Sequence, residues 1–141
     1  TRWNDEVVNR ILRKFANEDA VVVYFSDHGE EVYDGSIPLY GRIHDEQPSA
    51  EVIRHEYEVP FMIWGSRKFR RLHPELFEGI QSAQHHPFSH DDLPHLLLGL
   101  AGIKTAHYKA HRDPLSPQFR PQHRLLRGKI NYDEVIRGSR P

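Results

Sequence analysis

Ala20-Val21-Val22-Val23-Tyr24-Phe25-Ser26-Asp27-His28-Gly29-Glu30 is the stretch on which the reading of this chain turns. A run of β-branched and aromatic residues with no polar alternation suits a strand covered on both faces, and in open α/β sheets ligands collect outside the carboxyl ends of such strands. Directly after the run, an aspartate and a histidine stand side by side. Asp27, His28 and Glu30 therefore lie where a site would be built, and Gly29 supports the turn that carries them.

Working outward from that stretch, the order is helix then strand. Trp3, Val7, Val8, Ile11, Leu12 and Phe15 recur at helical spacing, which predicts an amphipathic helix from residue 3 to about 17 with its apolar face on a sheet. Asn17-Glu18-Asp19 reads as a turn into the strand over 20–25, and Val59-Pro60-Phe61-Met62-Ile63-Trp64 reads as a second strand with its proline at the first positions. Between the strands lie 33 residues, Ser26 to Glu58, with no sustained periodicity. A loop of more than about 15 residues in a compact domain is usually functional.

Further on, Arg70 to Gln81 is a mixed segment. Ser89 to Gly102 is a well-marked helix, with Ser89 as cap, acidic residues in the first turn, Pro94 early and Gly102 as stop. Residues 105–121 are polar and proline-rich, the tail from His123 carries many arginines, and Ile130-Asn131-Tyr132 suits a short edge strand. The expectation is a core over 1–104 and a wrapping tail over 105–141.

Composition narrows the function classes. Nineteen Lys and Arg against twenty Asp and Glu leave a net charge of −1, so nothing global points to nucleic acid. With no cysteine, thiolate metal sites, disulfides and cysteine nucleophiles are excluded. No stretch approaches the roughly 20 apolar residues of a membrane helix. The first residues, Thr1-Arg2-Trp3, are neither an initiator methionine nor a signal peptide, so the chain is expected to be a fragment. No Walker-type glycine loop or Gly-x-Ser-x-Gly elbow is present.

Eleven histidines in 141 residues are the compositional hint of metal chemistry. Aspartate and neutral imidazole suit zinc and, less exclusively, manganese, whereas calcium sites are built of oxygen alone. His44, in the long loop, is a candidate to close back on Asp27 and His28; a solvated loop histidine is the alternative. His55, beside the second strand, reads more simply as structural. Helix-start polarity or surface exposure accounts for His85, His86, His90 and His95.

Four segments taken together carry a family resemblance: Val21 to Glu30, the loop with His44, Glu58 to Trp64, and Phe88 to Leu100. In order and spacing the chain resembles the C-terminal part of the catalytic domain of bacterial phosphoethanolamine transferases, in the alkaline-phosphatase and sulfatase superfamily. The likeness runs from the first helix to about Ile103, with a weaker echo at Ile130 to Asp133. It implies an α/β fold with an alkaline-phosphatase-like, mainly parallel sheet flanked by helices, of which only the C-terminal part is present.

The resemblance also implies the chemistry. Phosphoethanolamine would pass from a phospholipid donor to lipid A or another envelope glycan through a phosphothreonine, in a periplasmic domain held to the bacterial inner membrane by N-terminal helices. By the same likeness Asp27 and His28 map onto zinc ligands, with manganese as the other candidate, and Glu30 onto a group shaping the substrate site. His44 maps onto a histidine serving a second metal or the substrate phosphate. The loop from Glu31 to Gly41 departs from the family's usual glycine-rich pattern, which weakens the mapping of His44.

The nucleophile is expected upstream, so the chain alone is expected to bind metal weakly and to show no turnover, and its open sheet edge to favour association. A sulfatase, phosphodiesterase or phosphoglycerol transferase of the same superfamily is the second reading, although sulfatases tend to favour calcium with oxygen ligands. A noncatalytic α/β module is the third.

Overall fold

The computed structural model describes residues 2–33, 35–36, 38–43 and 46–139. The chain divides into two compact units, one of residues 1–23 and 63–122 and the other of residues 24–62 and 123–141. Residues of the expected tail thus fall in both. In chain order the elements are α1 (Arg2–Phe15), β1 (Val21–Phe25), β2 (Glu31–Val32), β3 (Tyr40–Gly41), α2 (Ala50–Tyr57), β4 (Phe61–Gly65), α3 (Arg67–Leu72), α4 (Pro74–Ser82), α5 (Leu93–Leu100), β5 (Leu125–Leu126), β6 (Ile130–Asn131) and α6 (Tyr132–Gly138). Short 3-10 turns cover 83–85, 90–92 and 110–112.

The strands make three two-stranded sheets, β1 with β4, β2 with β3 and β5 with β6. Ser66 N–H donates to Ala20 O at 2.9 Å, and Ser26 N–H donates to Pro60 O at 3.3 Å. As β1 advances its partner recedes, so this pair is antiparallel, as are the other two. Every pair among the described residues therefore differs from the mainly parallel sheet that the resemblance implies. The cause is local: α2 ends against the Gly29 turn, at the end of β1 that the chain has just left, so the strand that follows must run back. Pro60 lies just before β4, where its missing N–H leaves no gap in the ladder.

Neither long strand is fully covered: Val21 to Tyr24 are half-buried and Phe25 is exposed. α1 forms where its periodicity predicts, yet none of its residues is buried, and Trp3 is 82% exposed with Val7, Ile11 and Phe15 also exposed. Val8 and Leu12 on that face are half-buried, so the apolar face that the periodicity predicts is covered only in part. No helix in the described part is long and apolar enough to cross a membrane.

In the first unit, β4 hands over to α3 through Ser66, which is fully buried. Its hydroxyl accepts from Phe69 N–H at 2.9 Å and donates to Glu18 O at 2.5 Å, so one side chain caps α3 and ties down the turn before β1. Ser89 caps the 3-10 turn that opens α5, and Gly102, at φ 65°, ends the segment in the left-handed region, as the sequence predicts.

Around α5, polar groups are buried rather than surface-facing. Asp113 presses its carboxylate on Gly99, where a Cβ would come within 2.1 Å of Oδ2, and accepts from Tyr108 Oη–H at 2.9 Å and Leu115 N–H at 2.9 Å. Arg112 donates to buried Asp92 at 2.6 Å. His95 is buried, against the surface placement expected, and its Nδ1 accepts the Lys109 N–H at 3.3 Å. Burial, then the Arg112 charge, lower its pKa below 6.5; Lys109 adds to that, while Asp92 and Asp113 oppose it. Burial pushes the Asp113 carboxyl up, and burial with the Asp113 bond takes Tyr108 to about 12.

Two outcomes follow from this unit. Ser66→Ala should lower unfolding free energy by about 1–3 kcal/mol in urea titration, the sum of a lost cap and an orphaned carbonyl; a loss under about 0.5 kcal/mol would mean that the hydroxyl carries neither role. Because the folded pKa of His95 is lowered, the unfolded chain takes up that proton first, so the stability it contributes is present above about pH 6.5 and lost as pH falls toward the lowered folded value. The melting temperature should therefore drop from about pH 7.5 to 5.5, and less so in His95→Gln.

Candidate active site

Where β1 stops, short-range hydrogen bonds shape the next four residues. Ser26 Oγ–H donates to His28 O at 2.8 Å, and His28 N–H donates to Asp27 Oδ1 at 3.0 Å. These bonds lift the chain out of the strand pleat, so adjacent side chains no longer point to opposite faces. Asp27 Oδ2 ends 3.7 Å from His28 Nε2, with the aspartate side chain 85% exposed.

His28 Nδ1 lies 3.0 Å from Gly29 O. A carbonyl only accepts, so the ring proton sits on Nδ1 and the lone pair on Nε2, the arrangement of a metal-ligating imidazole held by a backbone acceptor. Two donors of a tetrahedral zinc, each about 2.0–2.2 Å from the ion, stand roughly 3.3–3.6 Å apart. The Asp27–His28 pair meets that spacing to within a few tenths of an ångström and so fits half of such a coordination shell. No group of three His, Asp or Glu side chains among the described residues is arranged to hold a metal.

The turn is braced from behind by α2. Ser49 caps this helix by accepting from Val52 N–H at 3.3 Å, and Val52, Ile53 and Glu56 are its buried face. Gly29 N–H donates to Glu56 O at 3.0 Å, and a Cβ on Gly29 would lie 1.9 Å from His55 O. Only glycine permits this approach.

Against the same helix the chain buries two carboxylates. Glu31 and Glu56 are both fully buried. Glu31 Oε2 lies 2.9 Å from His55 Nδ1, while Glu31 Oε1 has no hydrogen-bond partner among the described residues. Glu56 Oε1 accepts from Ile43 N–H; its Oε2 has only the electrostatic attraction of Arg42 Nε at 3.9 Å among the described residues. The Arg42 guanidinium lies over the Tyr57 ring, 5.4 Å from its centroid. Glu51 accepts from both the N–H and the hydroxyl of Ser36, and Gly35 closes on it, since a Cβ there would come within 2.6 Å of Glu51 Oε1 and 2.8 Å of His55 Cε1.

The C-terminal part of this unit is tied down by ionic and hydroxyl contacts. Tyr132 Oη–H donates to Glu58 at 2.6 Å, and burial followed by that bond raises its pKa to about 12. Arg124 pairs with Asp133, holding that carboxyl below its usual range, and stacks over Tyr132 at 4.3 Å. Arg127 donates to Ile43 O at 2.8 Å and to Tyr57 Oη at 3.2 Å.

Of the residues singled out from sequence, Asp27 and His28 converge, and Glu30 is exposed beside them. His44 and Asp45 lie outside the described residues. His86, expected to be explained by helix-start polarity or surface exposure, is half-buried, bonds the Pro114 carbonyl at 2.9 Å and stacks on Phe119. Sequence reasoning missed α2 and with it Glu31 and Glu56, and read His55, which lies on that helix, as structural. The signal was present in Ser49, with apolar Val52 and Ile53 one turn on, but charged Glu56 on the buried face hid the period.

Comparison with known proteins points one way. The sulfatase family profile matches residues 1–103. Phosphoethanolamine transferase EptC of Escherichia coli K12 is 32% identical over 97% of this chain and 24% of its own length, so the chain spans about a quarter of that relative. The C-terminal periplasmic domain of E. coli EptC superposes with a TM-score of 0.77 at 32% identity, covering 98% of this chain and 39% of that one. The same domain in complex with Zn gives 0.76 at 32% identity, over 96% and 38%. These matches bear out the alkaline-phosphatase-like α/β class.

Gly29→Ala should separate the turn from α2 and lower stability by about 1–3 kcal/mol or more, since the obstruction is backbone rather than a movable side chain. Thermal unfolding checks this, and an unchanged midpoint would mean that the close approach is not maintained.

Proposed function

The chain belongs to the sulfatase family, and on that footing we propose that it is part of the catalytic domain of a metal-dependent phosphoethanolamine transferase, with Asp27 and His28 as ligands of its zinc. The observation that carries this reading is the donor pair: Asp27 Oδ2 and His28 Nε2 are 3.7 Å apart, with Nδ1 turned to the Gly29 carbonyl. Manganese suits the same donors less exclusively. The Zn complex of the E. coli EptC domain supports zinc.

Bound there, the metal supplies Lewis-acid stabilisation of charge on the phosphoryl oxygens and of the attacking group. This chain's residues do the holding. Ser26 and the Gly29 carbonyl fix Asp27 and His28 relative to each other, and the Gly29–Glu56 bond fixes both against α2. Exposed Glu30, next to the pair, is the group assigned to the substrate's ammonium or hydroxyl side, and His44 to a phosphate oxygen or a second metal.

The nucleophile of the covalent step lies in a part of the domain upstream of this chain. The donor is a phospholipid and the acceptor lipid A or another envelope glycan, reached from the periplasmic side of the inner membrane. The relatives' names support phosphoethanolamine as the group transferred.

Titration calorimetry with zinc tests the reading. Asp27→Ala and His28→Ala should each weaken binding by at least about tenfold while leaving the fold intact by circular dichroism. Variants that bind zinc as the unmutated protein does would move the metal elsewhere.

A further inference from the structure

The hairpin that follows the Asp27–His28 turn carries two tyrosines that folding alone does not account for. β2 and β3 pair with Glu31 opposite Gly41 and Val32 opposite Tyr40. Neighbours along a strand point to opposite faces, and directly opposed residues share one. Glu31 is fully buried, so Val32 and Tyr40 belong to the outer face, where both are exposed. By the same alternation residue 33 would turn inward with Glu31. It does not: Tyr33 has φ 63°, in the left-handed region, and its ring stands 67% exposed, stacked on Tyr40 with centroids 6.2 Å and planes 27° apart.

A bulky side chain is unfavourable in that region of backbone, where glycine or asparagine is the ordinary choice, and such outliers collect at functional sites. Closing the hairpin does not need the ring, because Tyr33 N–H donates to Leu39 O at 3.2 Å whatever side chain residue 33 bears. What the left-handed residue adds is a second ring beside Tyr40, on a surface open to water. Charge restricts what that surface receives. From Ser26 to Gly41 the sequence holds Asp27, Glu30, Glu31 and Asp34 and no lysine or arginine, and Asp27 and Glu30 are exposed. Such a segment repels an anionic bilayer or a polyanion. A neutral polyol suits it: the C–H face of a pyranose ring packs on the electron-rich faces of tyrosines, and its hydroxyls donate to carboxylates. Tyr33 is five residues past His28, and five residues of chain reach no more than about 18 Å. The ring pair therefore stands within a short glycan's length of the proposed zinc ligands.

We propose that Tyr33 and Tyr40 form a stacking platform for a sugar ring of the acceptor, holding the glycan while one of its hydroxyls meets the phosphoryl group at the Asp27–His28 site. This rests on the transferase reading given above and adds to it a surface that selects the acceptor. The tyrosines touch no reacting atom; they set which acceptors are held and in which direction. The left-handed backbone at Tyr33 is part of that recognition, since it presents the two rings already paired, so that little has to rearrange on binding.

The test uses the chain with zinc present, the variants Tyr33→Gly, Tyr40→Ala and Tyr40→Trp, and N,N′-diacetylchitobiose as the probe, with sorbitol as an open-chain polyol control. Proton NMR of the tyrosine rings reads binding, and circular dichroism reads the melting temperature. The disaccharide, and not sorbitol, should shift the ring signals of Tyr33 and Tyr40. Tyr33→Gly and Tyr40→Ala should each weaken the disaccharide by about three- to tenfold, Tyr40→Trp should retain it, and zinc affinity should change by less than about twofold throughout. Tyr33→Gly should also melt no lower than the unmutated protein, since glycine adopts the left-handed backbone freely. A Tyr33→Gly variant that melts lower and binds the disaccharide undiminished shows a structural stack and overturns the proposal. Absence of ring shifts with the disaccharide overturns it too, and tyrosine-dependent sedimentation with phosphatidylglycerol vesicles in that case assigns the surface to a bilayer. Failure of the underlying reading is distinguishable, because it appears as Asp27→Ala and His28→Ala variants that bind zinc unchanged; ring shifts that persist then mark a glycan-binding surface and overturn its acceptor role.

Discussion

The Gly29 amide on the Glu56 carbonyl is the contact on which the candidate site depends. It is a single backbone hydrogen bond of 3.0 Å, yet it fixes the turn after β1 against the end of α2. Once that is set, the chain leaving α2 is already beside the strand it came from, and β4 has no course open but to run back along β1. The same contact decides which backbone lies behind Asp27 and His28, because it seats the His55 and Glu56 carbonyls of α2 on Gly29. A side chain at position 29 would have to occupy the space of the His55 carbonyl. Topology and site are thus consequences of one missing Cβ.

Behind that contact the chain concentrates charge where burial is most unfavourable. Glu31 and Glu56 are both removed from water, and Arg42 stands 3.9 Å from the second without hydrogen-bonding it. Hydrophobic packing of the same volume would be at least as stable. Partly satisfied polar groups on one helix face are where a sequence departs from what folding alone favours, and such departures collect at functional sites. The contrast with the α5 region is instructive. There buried Asp113 receives a tyrosine hydroxyl and a backbone amide, Asp92 receives an arginine, and among the described residues no buried side-chain oxygen is left without a partner. One cluster is fully paired; in the other, Glu31 Oε1 and Glu56 Oε2 have no hydrogen-bond partner among the described residues.

Legibility in the sequence followed how local each signal was. α1, β1, the β4 run and the Ser89 to Gly102 helix rest on periodicity, apolar runs and caps within a dozen residues, and each stands where those signals put it. The β6 edge strand was likewise readable from Ile130 and Asn131. α2 was not, because its buried face ends in Glu56, and a charged residue on a core face breaks the apolar period by which helices are recognised. Strand direction was not readable either. It depends on where α2 ends, which is a matter of one glycine and one carbonyl 27 residues apart in number. Of the candidate site, Asp27 and His28 were readable from their place after a strand, whereas the buried carboxylates Glu31 and Glu56 were not, since their burial depends on α2.

Adjacent residues rarely serve one ion, because in a strand their side chains diverge and in a helix they lie about 100° apart. Between Asp27 and His28 the backbone belongs to neither, which lets Asp27 Oδ2 and His28 Nε2 approach to 3.7 Å. The aspartate accepts the amide of the very residue it must work beside, which turns Oδ1 inward and leaves Oδ2 toward the imidazole. The imidazole in turn spends Nδ1 on the next carbonyl, which leaves Nε2 with its lone pair. Every bond that sets this donor pair comes from residues 26 to 29, so its geometry is built before any more distant group arrives. What remains for more distant groups is narrower. In the proposed zinc site they would complete a coordination shell around a donor pair whose geometry is set by four consecutive residues.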